Sequence, residues 1–281
     1  MADSTDVTAA VTAARATEFG DLLRSRRQRL RPADVGLPAG SRRRAAGLRR
    51  EEVAGLAGIS TIYYTFLEQG RELRPSSQVV DALADALWLT PAERSHLHTL
   101  GHGRSDAPAA AELVSPDVVA LVLRLDPCPT YVTGRRWDVL AANRAARALW
   151  TDWPALPVGD RNMLCWMFTD PGARITLVEW EKEAIALLGR YRASAARHPG
   201  DPEFAALTGR LRAASPEFRD WWPRHDISPL SSGTKLVHHP ALGTMELRHT
   251  VLRLADDPEQ KLVTFAPSDA DQAGIARLIS G

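Results

Sequence analysis

The stretch LAGISTIYYTFLEQG, residues 56–70, predicts a helix, a tight turn and a second helix. Gly58 can adopt the positive φ that ends the first helix, and Ile59 can fill the angle between the two helices. Ser60 can cap the second helix with its hydroxyl group, and Gly70 can end that helix. The segment therefore predicts a compact pair of helices around residue 60.

A strongly basic segment precedes this pair of helices. Ten arginines lie between Arg24 and Arg50, against a single acidic residue, Asp34. The whole chain carries a formal net charge of only +1, so its overall charge says nothing about a polyanionic partner. The local distribution does, because it places a cationic segment directly before the two helices.

The length and composition allow more than one domain. The 281 residues are 44% hydrophobic and 25% charged, so the chain can bury the core of one large domain or of two smaller ones. The stretch SDAPAAAELVSP, residues 105–116, is small, polar and interrupted by prolines, which is typical of a domain boundary. We therefore expect a domain at residues 15–101, a linker at 102–115 and a second domain at 116–281.

Cysteine usage and hydropathy narrow the class of protein. Cys128 and Cys165 lie too far apart in the sequence for a thiolate metal motif, and no secretory apolar segment opens the chain. These features favour a cytoplasmic protein whose cysteines are reduced. No apolar run approaches the roughly 20 residues needed to span a bilayer, so we expect no membrane partner.

Hydrophobic spacing predicts helices in the first half of the chain and a mixture of helices and strands in the second. Residues 1–14 are predicted to be disordered and residues 31–47 to form a long basic loop. The helices predicted in the first half are 19–30, 49–57, 60–69, 76–87 and 91–100. Those predicted in the second half are 143–150, 160–168, 172–197 and 202–222, the last broken near Pro216. The predicted strands are two short ones within 130–143, joined at Gly134 and Arg135, and three more at 234–239, 244–254 and 261–267.

Several motifs, in order, carry a resemblance to a known family. Those of the first half are GDLLRSRR from Gly20, LRREEVAGLAGIS from Leu48, YYTFLEQG from Tyr63 and PSSQVVDALADAL from Pro75. Together they resemble the Cro/repressor-type helix-turn-helix and, more narrowly, the MmyB-like regulators. In the second half, RRWDVLAANRAARAL, SPEFRDWWPRHDI and GTKLVHHPALGTMEL are similar to the ligand-binding domain of that family. The resemblance implies an all-α five-helix helix-turn-helix domain, followed by an α+β, PAS-like domain with a small antiparallel sheet.

In such a fold the second helix of the pair lies in the major groove of DNA and the helix before it crosses the backbone. Arg49 and Arg50 can neutralise phosphates. The basic loop can follow the backbone or enter the minor groove, or it is simply solvated. The residues predicted to contact DNA are Arg42, Arg43, Arg44, Arg49, Arg50, Ser60, Thr61, Ile62, Thr65 and Phe66. The residues predicted to face inward are Val53, Ala54, Ile59, Tyr64 and Leu67, and the family pattern implies that Glu68 pairs with Arg27.

Ile62 and Phe66 depart from that family pattern, which would place a polar or charged residue at both positions. Neither side chain can make a bidentate hydrogen bond to a base, but both can pack on a thymine methyl group. One interpretation is an operator read by apolar contacts together with backbone positioning. A second is a helix that has lost some base discrimination, and a third is that Phe66 packs against protein.

The second half is rich in tryptophan. Seven of the eight tryptophans lie between Trp137 and Trp222, which favours an apolar pocket, although they can also simply fill the core. The resemblance implies a fatty-acyl ligand. The chain matches the family's W-x-x-H pattern at Trp222 to His225 and its G-x-K-x-x-x-H-P pattern at Gly233 to Pro240. His225, Lys235 and His239 either hold the last helix to the sheet or meet a ligand carboxylate, for which Lys235 is the first choice. The residues predicted to bind the ligand are Trp137, Trp166, Trp180, Trp222, His225, Lys235 and His239.

Histidines raise an enzyme as an alternative, since four of them lie in one stretch: His225, His238, His239 and His249. A hydrolase would need a nucleophile on an elbow such as G-x-S-x-G, and the chain has none. His238 and His239 would face opposite sides of a strand, so they cannot hold a metal as a pair. We therefore expect no catalysis, no metal and no cofactor.

The sequence thus predicts a one-component transcriptional regulator. It is expected to act as a homodimer in the cytoplasm, to bind double-stranded DNA, and to sense a small hydrophobic ligand such as a fatty acid. One alternative is a DNA-binding regulator whose second domain is a dimerisation or partner-binding module without a ligand. A third class, an enzyme tethered to DNA, has no catalytic constellation to support it.

Overall fold

A computed structural model of the chain describes residues 3–38, 47–71, 74–102 and 112–280. The chain folds into two compact units. Unit 1 consists of Met1–Ala107 together with two later segments, Arg192–Ala206 and Pro223–Ser228. Unit 2 consists of the remaining segments, Pro108–Tyr191, Leu207–Trp222 and Pro229–Gly281.

The described residues up to 102 form the five helices that the sequence predicts. They are α1 (Asp3–Arg29), α2 (Arg50–Leu56), α3 (Thr61–Glu68), α4 (Ser77–Ala86) and α5 (Pro91–His102). A short 3-10 helix, Pro32–Val35, follows α1. The prediction of disorder at residues 1–14 is wrong, because α1 already begins at Asp3. The small polar residues there include several alanines, the best helix former, and Val11 is buried.

The turn between α2 and α3 has the predicted geometry. Gly58 has a φ of +65° and Gly70 a φ of +67°, the left-handed conformation that favours glycine. The Ser60 hydroxyl accepts a hydrogen bond from the Tyr63 backbone N–H (3.1 Å). Ile59 packs at the edge of the core. The other residues predicted to face inward are buried, namely Val53, Ala54, Tyr64 and Leu67.

Residues 112–280 contain eight further helices and five strands. The helices are α6 (Pro116–Arg124), α7 (Arg144–Leu149), α8 (Met163–Thr169), α9 (Pro171–Thr176), α10 (Trp180–Ala195), α11 (Pro202–Ala214), α12 (Pro216–Trp221) and α13 (Asp269–Ser280). The strands are β1 (Thr130–Thr133), β2 (Val139–Ala142), β3 (Gly233–His239), β4 (Gly243–Arg253) and β5 (Lys261–Ala266). All five strands lie close to their predicted positions, and the predicted break at Pro216 separates α11 from α12.

The prediction of one helix over residues 172–197 is wrong, because the chain is extended between α9 and α10. Leu177 forms a β-bridge with Val237 of β3, and the Val178 N–H donates to the carbonyl oxygen of Leu236 (3.1 Å). Pairing with the sheet therefore interrupts the helical pattern. Helices α6 and α13 were not predicted.

The described strands form one antiparallel sheet in the order β2-β1-β5-β4-β3. The register pairs Tyr131 with Val263, and His249 with both Phe265 and Gly233. Since side chains alternate along a strand, Tyr131, Phe265 and Lys235 share one face of the sheet. On the opposite face, residues of β1 and β5 pack against α6 in a small buried cluster of Val122, Val132 and Leu262.

Candidate functional site

Helix α3 buries one side and exposes the other. Ile62 is 68% exposed and Phe66 is 41% exposed, whereas the side chains on the opposite side, Tyr64 and Leu67, are buried. The Thr65 hydroxyl donates to the backbone oxygen of Thr61 (2.7 Å), inside the helix. The exposed face therefore presents two large apolar side chains, each directly after a threonine in the sequence.

A buried carboxylate fixes α3 to the two preceding helices. Arg27 of α1 donates two hydrogen bonds to the Glu68 carboxylate, from Nε to Oε2 (2.7 Å) and from a terminal nitrogen to Oε1 (3.0 Å). Arg50 of α2 donates from Nε to Oε1 (2.9 Å). Burial alone raises the pKa of Glu68, but the hydrogen bonds from both arginines outweigh it and lower that pKa. The predicted Arg27–Glu68 pair is confirmed.

The basic residues before α3 differ in what they contact. Arg50 is held by Glu68, so its guanidinium group already has an internal partner. Arg49, the N-cap of α2, has a half-exposed side chain with a terminal nitrogen 3.6 Å from Oε1 of Glu51. The arginines of the basic loop that were predicted to contact DNA lie outside the described residues, namely Arg42, Arg43 and Arg44.

Unit 2 contains a pocket between one face of the sheet and helices α8 and α10. Three residues predicted to bind the ligand, Trp137, Trp166 and Lys235, line it together. Its free volume is about 40 Å³. The remaining lining residues are mainly aromatic or aliphatic, namely Tyr131, Trp150, Met163, Met167, Leu177, Glu183, Leu187, Arg190 and Phe265.

The other residues predicted to bind the ligand lie elsewhere. The Trp180 N–H donates to the Met167 carbonyl oxygen (2.9 Å). Trp222 stacks on Phe218, with ring centroids 5.4 Å apart. His239 Nδ1 accepts a hydrogen bond from the Ala241 N–H (3.2 Å), within the turn after β3.

His225 belongs to unit 1, where its Nδ1 lies 3.2 Å from a terminal nitrogen of Arg192.

One end of the pocket is charged. The Lys235 ammonium group forms an ion pair with the Glu183 carboxylate, and both side chains are largely buried. Among the residues that the structure describes, Arg190 donates one hydrogen bond, from Nε to the carbonyl oxygen of Pro229 (3.0 Å). Burial lowers the pKa of both Arg190 and Lys235, and the Glu183 carboxylate acts in the opposite direction.

Glu183 and Arg190 were not predicted, although the sequence carries a signal for them. Glu183, Leu187 and Arg190 follow the spacing i, i+4, i+7, which places all three on one side of α10. Which side of that helix meets the pocket depends on how α10 packs, and the spacing alone does not reveal it.

The aromatic wall of the pocket is closely packed. The rings of Trp150 and Phe265 have centroids 4.8 Å apart, and the Tyr131 ring meets the edge of Trp150 at 6.0 Å. The indole N–H groups of Trp137 and Trp166 are buried and have no hydrogen-bond acceptor among the described residues.

The described part of the chain offers neither a metal site nor a membrane-spanning helix. No group of three or more His, Cys, Asp or Glu side chains there could hold a metal ion. No helix among the described residues has both the length and the apolar character needed to cross a membrane.

Comparisons with known families agree with this architecture. The model of a helix-turn-helix domain matches residues 18–97. The model described as MmyB-like transcription regulator ligand binding domain matches residues 114–278, more than half of the chain. No curated protein matches the chain. The protein is thus a DNA-binding transcription regulator with a ligand-binding C-terminal domain, and it belongs to the MmyB-like regulator family.

Proposed function

We propose that this chain is a one-component regulator that binds duplex operator DNA through α3 and binds an acidic amphiphile, such as a fatty acid, in the pocket of unit 2. The observation that carries the proposal is the composition of that pocket, an aromatic wall with a charged end. Its ligand would place an apolar chain among the rings and an acidic head at Arg190 and Lys235.

The charges at the pocket support an acidic head group. Arg190 and Lys235 supply two positive charges and Glu183 one negative charge, so the described lining carries a surplus of one positive charge when all three are ionised. A buried charge is unfavourable without a partner of opposite sign. A ligand carboxylate would supply that partner, and we expect Arg190 to be its main contact because Lys235 already faces Glu183.

The apolar wall supports a hydrocarbon chain. Each buried methylene group contributes about 0.8 kcal/mol, so affinity should increase with chain length until the pocket is filled. The free volume of about 40 Å³ holds little more than one water molecule. Side chains must therefore move to admit a chain, and Met163 and Met167 are suited to this because methionine is flexible and unbranched.

On the DNA side, the exposed face of α3 supports contacts in the major groove. Thr61, Ile62, Thr65 and Phe66 are available there, while Ser60 caps the helix. Arg49 would contact a phosphate, and we keep the same proposal for the loop arginines 42–44. A homodimer on a site with two-fold symmetry would give the selectivity that one such unit lacks.

The remaining features of the proposal follow from the family. We propose a DNA-binding domain at residues 15–101, a linker at 102–115 and a PAS-like domain at 116–281, acting in the cytoplasm without catalysis. Matches to transcription-regulator families support this division. Sedimentation of the full chain with and without operator DNA tests the dimer.

A binding titration tests the ligand. The full-length chain is titrated calorimetrically with saturated fatty acids of graded length, and affinity should rise with length. Arg190→Gln and Lys235→Met should weaken binding about tenfold or more, which is the loss of a charge-assisted hydrogen bond. The matched control is Lys182→Met, since Lys182 lies on α10 near Glu183 but is exposed and pairs with Glu179.

Absence of saturable binding at any length would refute the ligand proposal and favour the dimerisation or partner-binding module. If an acid does bind, its effect on operator affinity must equal the effect of the operator on its own affinity.

A further inference from the structure

We propose that the ligand of the unit 2 pocket carries a hydrogen-bond acceptor on its chain, a keto or hydroxyl oxygen, which meets the indole N–H groups of Trp137 and Trp166. The inference rests on the proposed function, because it refines the chemistry of the ligand for the same pocket. On this proposal, the pocket prefers an acid with an oxygen on its chain to a saturated fatty acid without one.

The first observation is that both indole donors are buried without an acceptor. Trp137 is 4% exposed and Trp166 is 3% exposed, both rings line the pocket, and neither Nε1 has a partner among the described residues. The neighbouring Trp180 is similarly buried, yet its N–H donates to the Met167 carbonyl oxygen (2.9 Å). Buried polar groups in folded proteins are almost always hydrogen-bonded, so two such donors in one pocket call for an acceptor from beyond the described residues, which a ligand would supply.

The second observation is the backbone at Trp137, which has a φ of +67°. A bulky residue rarely adopts this left-handed conformation, and such outliers cluster where a ligand is held. The turn maintains it: the Trp137 N–H donates to the Gly134 oxygen (3.1 Å), and the Trp137 oxygen accepts from the Met163 N–H (2.9 Å). The fold therefore holds this indole against the pocket at a conformational cost.

The third observation concerns selectivity. Trp153 also has a buried N–H without an acceptor among the described residues, but its ring does not line the pocket. Trp137 and Trp166 therefore differ from Trp153 in combining a buried N–H without an acceptor among the described residues with a position in the pocket wall. A site with unpaired donors discriminates against a ligand that lacks the acceptor, because binding that ligand leaves the donors unpaired in a dry site.

The test compares dodecanoic acid with a series of oxo-dodecanoic acids that differ in the position of the ketone, using calorimetry on the full-length chain. We expect at least one isomer to bind about tenfold or more tightly than dodecanoic acid. In Trp137→Phe or Trp166→Phe, which keep an aromatic ring and remove the N–H, that advantage should fall to about threefold or less.

The matched control is Trp150→Phe. Trp150 lines the same pocket, but its N–H is not among the buried donors without an acceptor, so the preference for the oxo acid should persist. A second measurement needs no variant. In the full-length chain labelled with nitrogen-15 tryptophan, the preferred oxo acid should move two indole N–H proton resonances further downfield than dodecanoic acid does, because a new hydrogen bond deshields the N–H proton.

Three outcomes would overturn the inference. In one, dodecanoic acid binds as tightly as every oxo isomer. The proposed binding of an acidic amphiphile would then still hold, and water would be the acceptor for the two indole N–H groups. In another, the oxo preference survives both tryptophan variants. In the third, both variants weaken dodecanoic acid as much as the oxo acids, which would place the carboxylate head at the indoles. Absence of binding by any of these acids would instead refute the proposed function itself.

Discussion

The stability of unit 1 should fall in mild acid because burial lowers the pKa of two of its histidines, His96 and His225, and the contribution of His96 can be isolated. His96 of α5 is almost fully buried, and its pKa is lowered to about 3 by burial first and then by nearby cationic groups, Arg192 foremost. In the unfolded chain the same imidazole titrates near its ordinary value of about 6.5. Between these two pKa values, the His96 imidazole therefore binds a proton in the unfolded state but not in the folded state.

The sign and size of the effect follow from proton linkage. Stability is unaffected by His96 above about pH 6.5, and it is lost progressively as pH falls from there toward 3. Between pH 7.5 and pH 5 the loss is about 2 kcal/mol, since each pH unit well below 6.5 costs about 1.36 kcal/mol. Glu18, 4.0 Å from His96, has a pKa raised by burial, against the lowering effect of Arg192, and so acts in the opposite sense.

The assay is urea unfolding of the full chain followed by circular dichroism at pH 7.5 and pH 5. In His96→Phe, which keeps a ring and removes the titration, the loss of stability between the two pH values should be smaller than in the natural chain by about 2 kcal/mol. Contributions of Glu18 and of other groups are present in both proteins and largely cancel. His102→Phe is the control, because His102 is exposed. An equal acid loss in the natural chain and in His96→Phe would refute the reasoning.

Three other changes test the remaining interactions. Glu68→Gln should destabilise the chain by about 3–5 kcal/mol in urea unfolding, because it leaves the partly buried Arg27 without its carboxylate, and a stability unchanged within error would contradict this. Glu183→Gln should tighten binding of an acidic ligand about tenfold, because Lys235 loses its internal competitor; weaker binding would mean that Glu183 orients Lys235 for the ligand. Replacing one thymine of the operator by uracil should cost the natural chain about 1 kcal/mol and Phe66→Ala almost nothing, and equal losses in both proteins would remove Phe66 from the groove.

Local signals were sufficient to predict the helix pair. Gly58, Ser60 and Gly70 act through backbone conformation and capping, which depend on residues a few positions away, and the structure shows each of them in its predicted role. The Arg27–Glu68 pair was also predictable, because the family pattern implies it.

The pocket depends on long-range packing and was only partly predictable. Tryptophan enrichment indicated a cavity in the second half, and Trp137, Trp166 and Lys235 do line one. The approach of α10 to the sheet, which brings in Arg190, could not be derived from helical spacing. The break at Leu177 likewise has no local signal, because it results from pairing with a strand some sixty residues later.

In the proposed complex with DNA, the apolar face of α3 separates two tasks that a polar recognition helix combines. Ile62 and Phe66 lie one helical turn apart, so their side chains form a continuous exposed patch on a helix that Glu68 fixes to α1 and α2. Such a patch can distinguish a thymine methyl group from its absence, but it offers no hydrogen bond to a base edge. Affinity must then come mainly from phosphate contacts, for which Arg49 is the exposed arginine at the start of α2. Because the two contributions lie on different residues, we expect the salt dependence of binding to follow Arg49 and the base preference to follow Ile62 and Phe66.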